Sequence, residues 1–138
     1  MNLKFGLFSA AGVSSCTSGA GSLTYEQVDA QDFAQWGVDY LKYGDCNGLG
    51  IPQLTRYMAM AQALNSTGRP VFLNAAKGVL SSLSQIGWNV SNSYRTSSKV
   101  LDDPWQNVRA SFLLNNNHAK STRPGWLNDP DLLAVGLK

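Results

Sequence analysis

Short apolar segments recur along this chain at intervals of about 30 residues, and the stretches between them carry helical signals. The segments begin near residues 3, 38, 71, 94 and 125. Strands that alternate with helices at this spacing are typical of βαβ units, in which successive strands pair in parallel. A barrel of eight such units needs about 250 residues, whereas the chain has 138. The spacing therefore predicts an α/β fold that is either an open parallel sheet or part of a barrel.

Helix starts can be recognised between these strands. Residues 24–27 (TYEQ) resemble a capping box, and Pro52 fits the first turn of a second helix. Residues 102–105 (DDPW) combine an N-cap with an early proline, which predicts a helix continuing through Leu114. A short helix is also expected at residues 80–85.

The composition excludes several classes of protein. The chain is 43% hydrophobic and 14% charged, and 11 basic against 9 acidic residues give a net charge of +2 without a basic run. We therefore expect no nucleic-acid partner and no membrane surface bound by charge. The longest uncharged stretch is rich in Ser and Asn, so no membrane insertion is expected. The first nine residues are too short for a signal peptide and are interpreted as a strand.

No pattern for a cofactor or metal is present. A Gly-x-Gly-x-x-Gly motif does not follow the first strand, and no cluster has the spacing of metal ligands, so we expect neither. His118 is the only histidine and is interpreted as a surface residue, whereas Trp36 and Trp105 lie on helical faces and are expected in the core. Two N-x-[ST] sequons, at Asn65 and Asn89, favour a secretory origin weakly.

Four segments carry a resemblance to a known family. They are residues 3–12 (LKFGLFSAAG), 33–47 (FAQWGVDYLKYGDCN), 63–72 (ALNSTGRPVF) and 124–133 (PGWLNDPDLL). Together, in this order and at this spacing, they are similar to the α-galactosidases of glycoside hydrolase family 27, the melibiase-like enzymes. The resemblance covers nearly the whole chain.

The resemblance implies a partial (β/α)8, TIM-type barrel of about five parallel βα units, with residues 1–138 as a single segment. These units correspond to strands three to seven of the family's catalytic barrel. The resemblance also pairs Cys16 with Cys46 in a disulfide between the loops after the first two strands of this chain. A disulfide implies an oxidising compartment, so the ancestry points to the secretory pathway or the extracellular space.

Both catalytic positions of the family are replaced in this chain. Retaining glycosidases use one carboxylate as nucleophile and another as acid/base. By the resemblance, Gly44 stands at the nucleophile position and Lys99 at the acid/base position. Asp45 is a candidate displaced nucleophile, and Asp102 a candidate substitute acid/base, although a turn role for Asp45 and a helix-start role for Asp102 explain both residues more simply.

The remaining family positions are partly kept. Ala10 and Lys77 replace two further acids. Three residues match positions that contact the sugar or the nucleophile in the family, namely Lys42, Arg95 and Asp131.

Three functional hypotheses follow. The first is a catalytically degenerate α-galactosidase-like pseudoenzyme, kept as a structural or binding subunit. The second is a genuine retaining α-galactosidase that acts on terminal α-galactosides through Asp45, and the third is a carbohydrate-binding module. Five units would leave the inward strand faces uncovered, so we expect other protein chains or the missing barrel segments as partners, with a galactoside as a possible ligand.

Overall fold

The computed structural model describes residues 3–76, 89–97, 103–131 and 133. Five strands form one sheet in the order β1-β2-β3-β4-β5, which is their order in the sequence. The strands and helices are β1 (Gly6–Ala10), α1 (Glu26–Gln35), β2 (Tyr40–Gly44), α2 (Gln53–Ser66), β3 (Phe72–Ala76), β4 (Ser93–Arg95), α3 (Pro104–Asn117) and β5 (Leu127–Asp129). The expected helix at residues 80–85 lies outside the described residues. The chain divides into two compact units, Met1–Ala75 and Ala76–Lys138.

In the N-terminal unit, β1 and β2 pair in parallel, from Gly6 opposite Tyr40 to Ala10 opposite Gly44. Because side chains alternate along a strand, Leu41 and Tyr43 point to one face, where both are fully buried. The rings of Tyr43 and Tyr57 meet edge-on at 5.5 Å, and the Tyr57 hydroxyl donates to the Tyr43 carbonyl oxygen at 3.1 Å. Helix α2 is thereby fixed on this face of β2.

The opposite face of β1 and β2 is open. Phe8 lies opposite Lys42 in the register, and its side chain remains 53% exposed. Tyr40 stacks on Phe72 of β3 with ring centroids 5.7 Å apart, and Phe72 is also exposed. In a closed barrel this face would point inward and be filled by layers of side chains from the other strands.

The loops after β1 and β2 are held together covalently and by hydrogen bonds. Cys16 and Cys46 form a disulfide with their Cα atoms 5.4 Å apart, so the predicted pairing is confirmed. The Asn47 side-chain amide donates to the Ser14 hydroxyl oxygen at 2.8 Å and to the Ser15 carbonyl oxygen at 3.2 Å. These contacts hold the loops at the carboxyl ends of the two strands together.

In the C-terminal unit, β4 and β5 also pair in parallel, from Ser93 opposite Leu127 to Arg95 opposite Asp129. Trp126 is buried and stacks on Tyr94 at 4.7 Å. The Asp103 carboxylate caps α3 by accepting from the Trp105 and Gln106 amides, as the sequence predicts for this helix start.

Two expectations about α1 and α3 are wrong. The capping box at residues 24–27 does not form, because Thr24 takes a left-handed φ of 72° and the N-cap is Tyr25, without a side-chain hydrogen bond. Trp36 and Trp105 are exposed rather than in the core, at 61% and 68%. Trp36 sits at the end of α1, where its ring contacts Phe33 on one side. His118, which the sequence analysis interprets as a surface residue, is half-buried with its ring against Tyr94.

Within the described ranges, no helix is both long and apolar enough to cross a membrane. The same part of the chain brings no three His, Cys, Asp or Glu side chains together as a metal site.

Candidate functional site

The polar residues singled out by the sequence lie at the carboxyl ends of strands. Lys42 is in β2, Gly44 ends β2 and Asp45 follows it directly. In the C-terminal unit, Arg95 ends β4 and Asp131 comes two residues after β5. Enzymes built on parallel βα barrels place their catalytic residues at this end of the strands. Within each unit, the placement therefore matches the position that a candidate active-site residue would take.

Asp45 is held in an ion pair with Arg56 of α2. An oxygen of its carboxylate accepts from an η-nitrogen of the Arg56 guanidinium, and the two side chains are 3% and 7% exposed. Charges buried to this extent need a partner, because removing a carboxylate from water is costly. The Asp45 carboxylate is thus directed into the protein, toward the first turns of α2.

Arg56 makes further contacts that join three segments. Its second η-nitrogen donates to the Ala11 carbonyl oxygen at 2.8 Å, and its ε-nitrogen donates to the Ile51 carbonyl oxygen at 2.9 Å. A Cβ atom at Gly48 would lie 2.4 Å from the guanidinium carbon, so a side chain at this position would displace the guanidinium from its partners. Arg56 therefore ties the ends of β1 and β2 to α2, with Asp45 as its counter-ion.

The resemblance assigns Gly44 to the family's nucleophile position, and glycine brings no functional group there. A Cβ atom built there would lie 3.1 Å from Cζ of Phe8 and 3.5 Å from the Ser9 carbonyl oxygen. The exposed Phe8 ring thus lies beside the place from which a catalytic carboxylate would extend. Ala10, opposite Gly44 in the register, is fully buried and adds no polar group.

Two buried tyrosines lie beside the carboxyl end of β2. Burial raises the pKa of Tyr43, which precedes Gly44, and burial likewise raises the pKa of Tyr57. Both hydroxyls are consequently protonated throughout the neutral range, and neither provides a tyrosinate nucleophile.

In the C-terminal unit, the structure brings two predicted sugar-contacting residues together. The ε-nitrogen of Arg95 lies 2.9 Å from a carboxylate oxygen of Asp131, whose side chain is 4% exposed. The same nitrogen donates to the Ser97 hydroxyl at 3.1 Å. The backbone amide of Asp131 donates to the Asp129 carboxylate, which fixes the turn where Asp131 has a φ of 60°. The Arg95–Asp131 pair is therefore held by further contacts on both sides.

Comparison with known proteins agrees with this architecture. A family model described as Alpha galactosidase A (Melibiase_2) matches residues 1–137, so the chain belongs to this family of glycoside hydrolases. It is 42% identical over 134 residues to Alpha-galactosidase 3 of Arabidopsis thaliana, covering 97% of this chain and 30% of that protein. It is 40% identical over 143 residues to Alpha-galactosidase of Cyamopsis tetragonoloba, covering 97% of this chain and 33% of that protein. The chain thus spans about a third of the length of these curated relatives.

Solved structures show the same relationship. The crystal structure of α-galactosidase I from Mortierella vinacea superimposes with a TM-score of 0.87 at 33% identity, covering 97% of this chain and 40% of that one. The structure of α-galactosidase (MEL1) from Saccharomyces cerevisiae superimposes with a TM-score of 0.85 at 30% identity, covering 99% of this chain and 36% of that one. The predicted fold, a partial (β/α)8 barrel of about five parallel βα units, is confirmed.

Three of the residues singled out in the sequence, Lys77, Lys99 and Asp102, lie outside the described residues. Arg56 was not singled out at all. Its position nevertheless continues the helical stripe of buried residues in α2, between Gln53 and Met60. A charged residue on a buried stripe is a signal for a buried counter-ion, and Asp45 supplies it.

Proposed function

We propose that this chain is part of an α-galactosidase-like glycoside hydrolase that has lost catalysis and serves as a structural or binding subunit. The observation that carries the proposal is that the carboxyl end of β2 offers no free carboxylate. Gly44 has no side chain to act as nucleophile, and the adjacent carboxylate of Asp45 is engaged by Arg56 in the protein interior.

The chemistry of a retaining glycosidase explains why this arrangement argues against turnover. Two carboxyl groups must stand about 5–5.5 Å apart on either side of the scissile bond. A carboxylate whose charge is taken up by a buried guanidinium is a weak nucleophile, and it leaves that guanidinium unpaired if it turns toward a sugar. Asp45 is therefore better suited to holding the loops than to attacking an anomeric carbon.

Hydrolysis of an aryl α-galactoside by the full-length protein tests the proposal. We expect no release of the aryl group above the rate without protein, and no difference between the natural protein and its D45N variant. Hydrolysis that D45N abolishes would instead establish the second hypothesis, in which Asp45 is the displaced nucleophile. Folding of both proteins is checked by circular dichroism, so a loss of structure is not mistaken for a loss of activity.

A second candidate function is carbohydrate binding, which the Arg95–Asp131 pair favours. A carboxylate and a guanidinium can both hydrogen-bond to sugar hydroxyls. Calorimetric titration of the full-length protein with galactose tests this function. Saturable binding that R95M weakens supports the binding role, whereas a flat titration leaves only the structural one.

We further propose that the protein passes through an oxidising compartment and is secreted or kept in the secretory pathway. The Cys16–Cys46 disulfide supports this, because such bonds form and persist where thiols are not kept reduced.

A further inference from the structure

We infer that Asn47 is a modification site, where the side-chain amide converts spontaneously to aspartate and isoaspartate through a cyclic imide formed with Gly48. The Cys16–Cys46 disulfide sets the rate of this conversion. Asn47 is the only asparagine in the sequence that a glycine follows directly. Because glycine has no side chain, its backbone nitrogen is open to the side chain before it. This site is separate from the proposed function and depends on neither hydrolysis nor sugar binding.

The fold requires both residues of this dipeptide. A Cβ atom at Gly48 would lie 2.4 Å from the guanidinium carbon of Arg56, which the Asp45 carboxylate and two carbonyl oxygens hold in place. Asn47 has a left-handed φ of 52°, a conformation that asparagine adopts more readily than most residues. The contacts that position Arg56 and this turn therefore place a reactive dipeptide in the loop after β2.

The Asn47 amide is held by the loop after β1. Its nitrogen donates to the Ser14 hydroxyl oxygen at 2.8 Å and to the carbonyl oxygens of Ser14 and Ser15 at 3.3 and 3.2 Å. The Asn47 carbonyl oxygen accepts from the Val13 amide at 3.1 Å. For its amide carbon to reach the Gly48 nitrogen, the side chain has to leave these acceptors, so the contacts slow the conversion.

The disulfide keeps these contacts closed. Cys46 directly precedes Asn47 and Cys16 directly follows Ser15, and the Cα atoms of the two cysteines are 5.4 Å apart. With the bridge intact, the two loops cannot separate, and a hydrogen bond that opens closes again. Asn47 is itself exposed, so water reaches the amide whenever the contacts open. Reduction of the bridge therefore releases the amide for reaction.

The chemical steps consume one water molecule and release ammonia. The Gly48 backbone nitrogen loses its proton to solvent hydroxide and forms a bond to the amide carbon of Asn47. The bond between that carbon and the side-chain nitrogen breaks, and ammonia leaves with the electron pair and a proton taken from water. Water then opens the resulting imide ring: addition at the former amide carbon gives aspartate, and addition at the backbone carbonyl gives isoaspartate. No oxidation or reduction occurs.

Neither product restores the contact between the loops. An aspartate at position 47 brings only acceptors to the two carbonyl oxygens that the amide nitrogen bonded, so these carbonyls lose their donor. In isoaspartate the main chain runs through the former side chain, and the carbonyl that accepts from Val13 becomes part of a carboxylate off the main chain. The modification is therefore a permanent change beside the carboxyl ends of β1 and β2.

The test compares the full-length protein with its bridge closed and with its bridge kept reduced by dithiothreitol, in mildly alkaline H2¹⁸O. Mass spectrometry of proteolytic peptides follows the replacement of the Asn47 amide by a carboxyl that carries one ¹⁸O atom. We expect Asn47 to convert at least about tenfold faster with the bridge reduced, because the loops are then free to separate. Equal rates in the two states overturn the inference, as does an absence of conversion in the reduced protein.

Matched variants separate the hydrogen bonds of Asn47 from a general loosening of the reduced fold. S14A removes the hydroxyl acceptor but keeps the bridge, and S18A changes an exposed hydroxyl in the same loop that does not contact Asn47. With the bridge closed, we expect Asn47 to convert at least about threefold faster in S14A than in the natural protein, because one hydrogen bond is lost. S18A should convert at the natural rate, and circular dichroism verifies that both variants are folded. Equal rates for S14A and S18A overturn the inference, because the hydrogen bonds would then not hold the amide.

Discussion

The Asp45 carboxylate and the Arg56 guanidinium form an ion pair inside the N-terminal unit, with both side chains more than nine-tenths buried. The pair joins the residue after β2 to α2, and Arg56 extends the link to Ala11 after β1. One buried arginine thus holds together three segments at the end of the sheet where this family carries out its chemistry.

Removing either member of this pair should destabilise the protein strongly. Breaking a buried ion pair leaves one charge without compensation, which costs about 3–5 kcal/mol. We expect D45A and R56A each to lower the free energy of unfolding by about this amount in urea titrations.

The control is the pair between Lys4 and Asp39, in which the Lys4 side chain is 78% exposed. K4A should cost less than about 1 kcal/mol, because exposed ion pairs contribute little. D45A as stable as K4A would contradict the buried role of Asp45.

Substitution of Gly44 should destabilise the protein because the new side chain contacts Phe8. A methyl group at position 44 lies 3.1 Å from Cζ of Phe8, so the ring must move. We expect G44A to lower the free energy of unfolding by about 1 kcal/mol, as overpacking does. In an F8A background the same substitution should cost less by at least about 0.5 kcal/mol, a coupling typical of residues in contact. V28A, on α1, is the control background, in which G44A should lower the free energy of unfolding by the same amount as in the natural protein.

Asp39 should make stability depend on pH in the acid range. The Phe5 amide donates to the Asp39 carboxylate at 3.0 Å, and the Lys4 ammonium and Arg69 guanidinium nitrogens lie 3.2 and 2.9 Å from a carboxylate oxygen. Together these contacts hold the pKa of Asp39 below its usual value. A carboxyl whose pKa is lower in the folded state stabilises the fold above its unfolded pKa. That stabilisation is lost as the pH falls through the lower, folded pKa.

Unfolding titrations between pH 7 and pH 2 measure this contribution. D39N should show a smaller loss of stability on acidification than the natural protein, because the amide does not titrate. A control at an exposed residue without a titratable group, Q35A at the end of α1, should follow the natural curve. Parallel curves for D39N and the natural protein would contradict the assignment.

The open groove beside β1 should drive association of the 138-residue chain. A cavity of about 530 Å³ lies at this edge and is lined by apolar groups that include Phe8, Tyr25 and Trp36. Exposed apolar surface costs about 25 cal/mol per Å². We therefore expect dimers or larger species in sedimentation velocity at micromolar concentration, and less association for W36E. L49S, which changes an exposed residue that does not line the groove, should behave as the natural chain; a compact monomer would refute the prediction.

The alternation of strands and helices could be predicted from the sequence because each element has its own local signal. The strand starts near residues 38 and 71 and the cap at Asp103 come from such signals. The exposure of Trp36 could not be predicted in this way. A helical stripe shows that one face of α1 is apolar, but it does not show whether another helix covers the end of that face.

The candidate site could likewise be predicted only in part from the sequence. The family motifs located Gly44, Arg95 and Asp131 at the ends of strands, and the structure shows the last two in contact. The engagement of Asp45 by Arg56 depends on which side of the strand end the carboxylate turns to. Register at a strand end is set by packing against α2, which is a tertiary property and has no local signature.

The Cys16–Cys46 disulfide has a consequence for the order in which the protein is made. Both cysteines, the Asp45–Arg56 pair and the contact between Tyr43 and Tyr57 lie within Met1–Ala75. During synthesis this part of the chain emerges from the ribosome before β4 and β5 do, and chain segments of this kind fold in order from the N-terminus. In the oxidising compartment proposed above, the bridge can therefore close on the ribosome-bound chain, so that an already cross-linked segment receives the strands that emerge later.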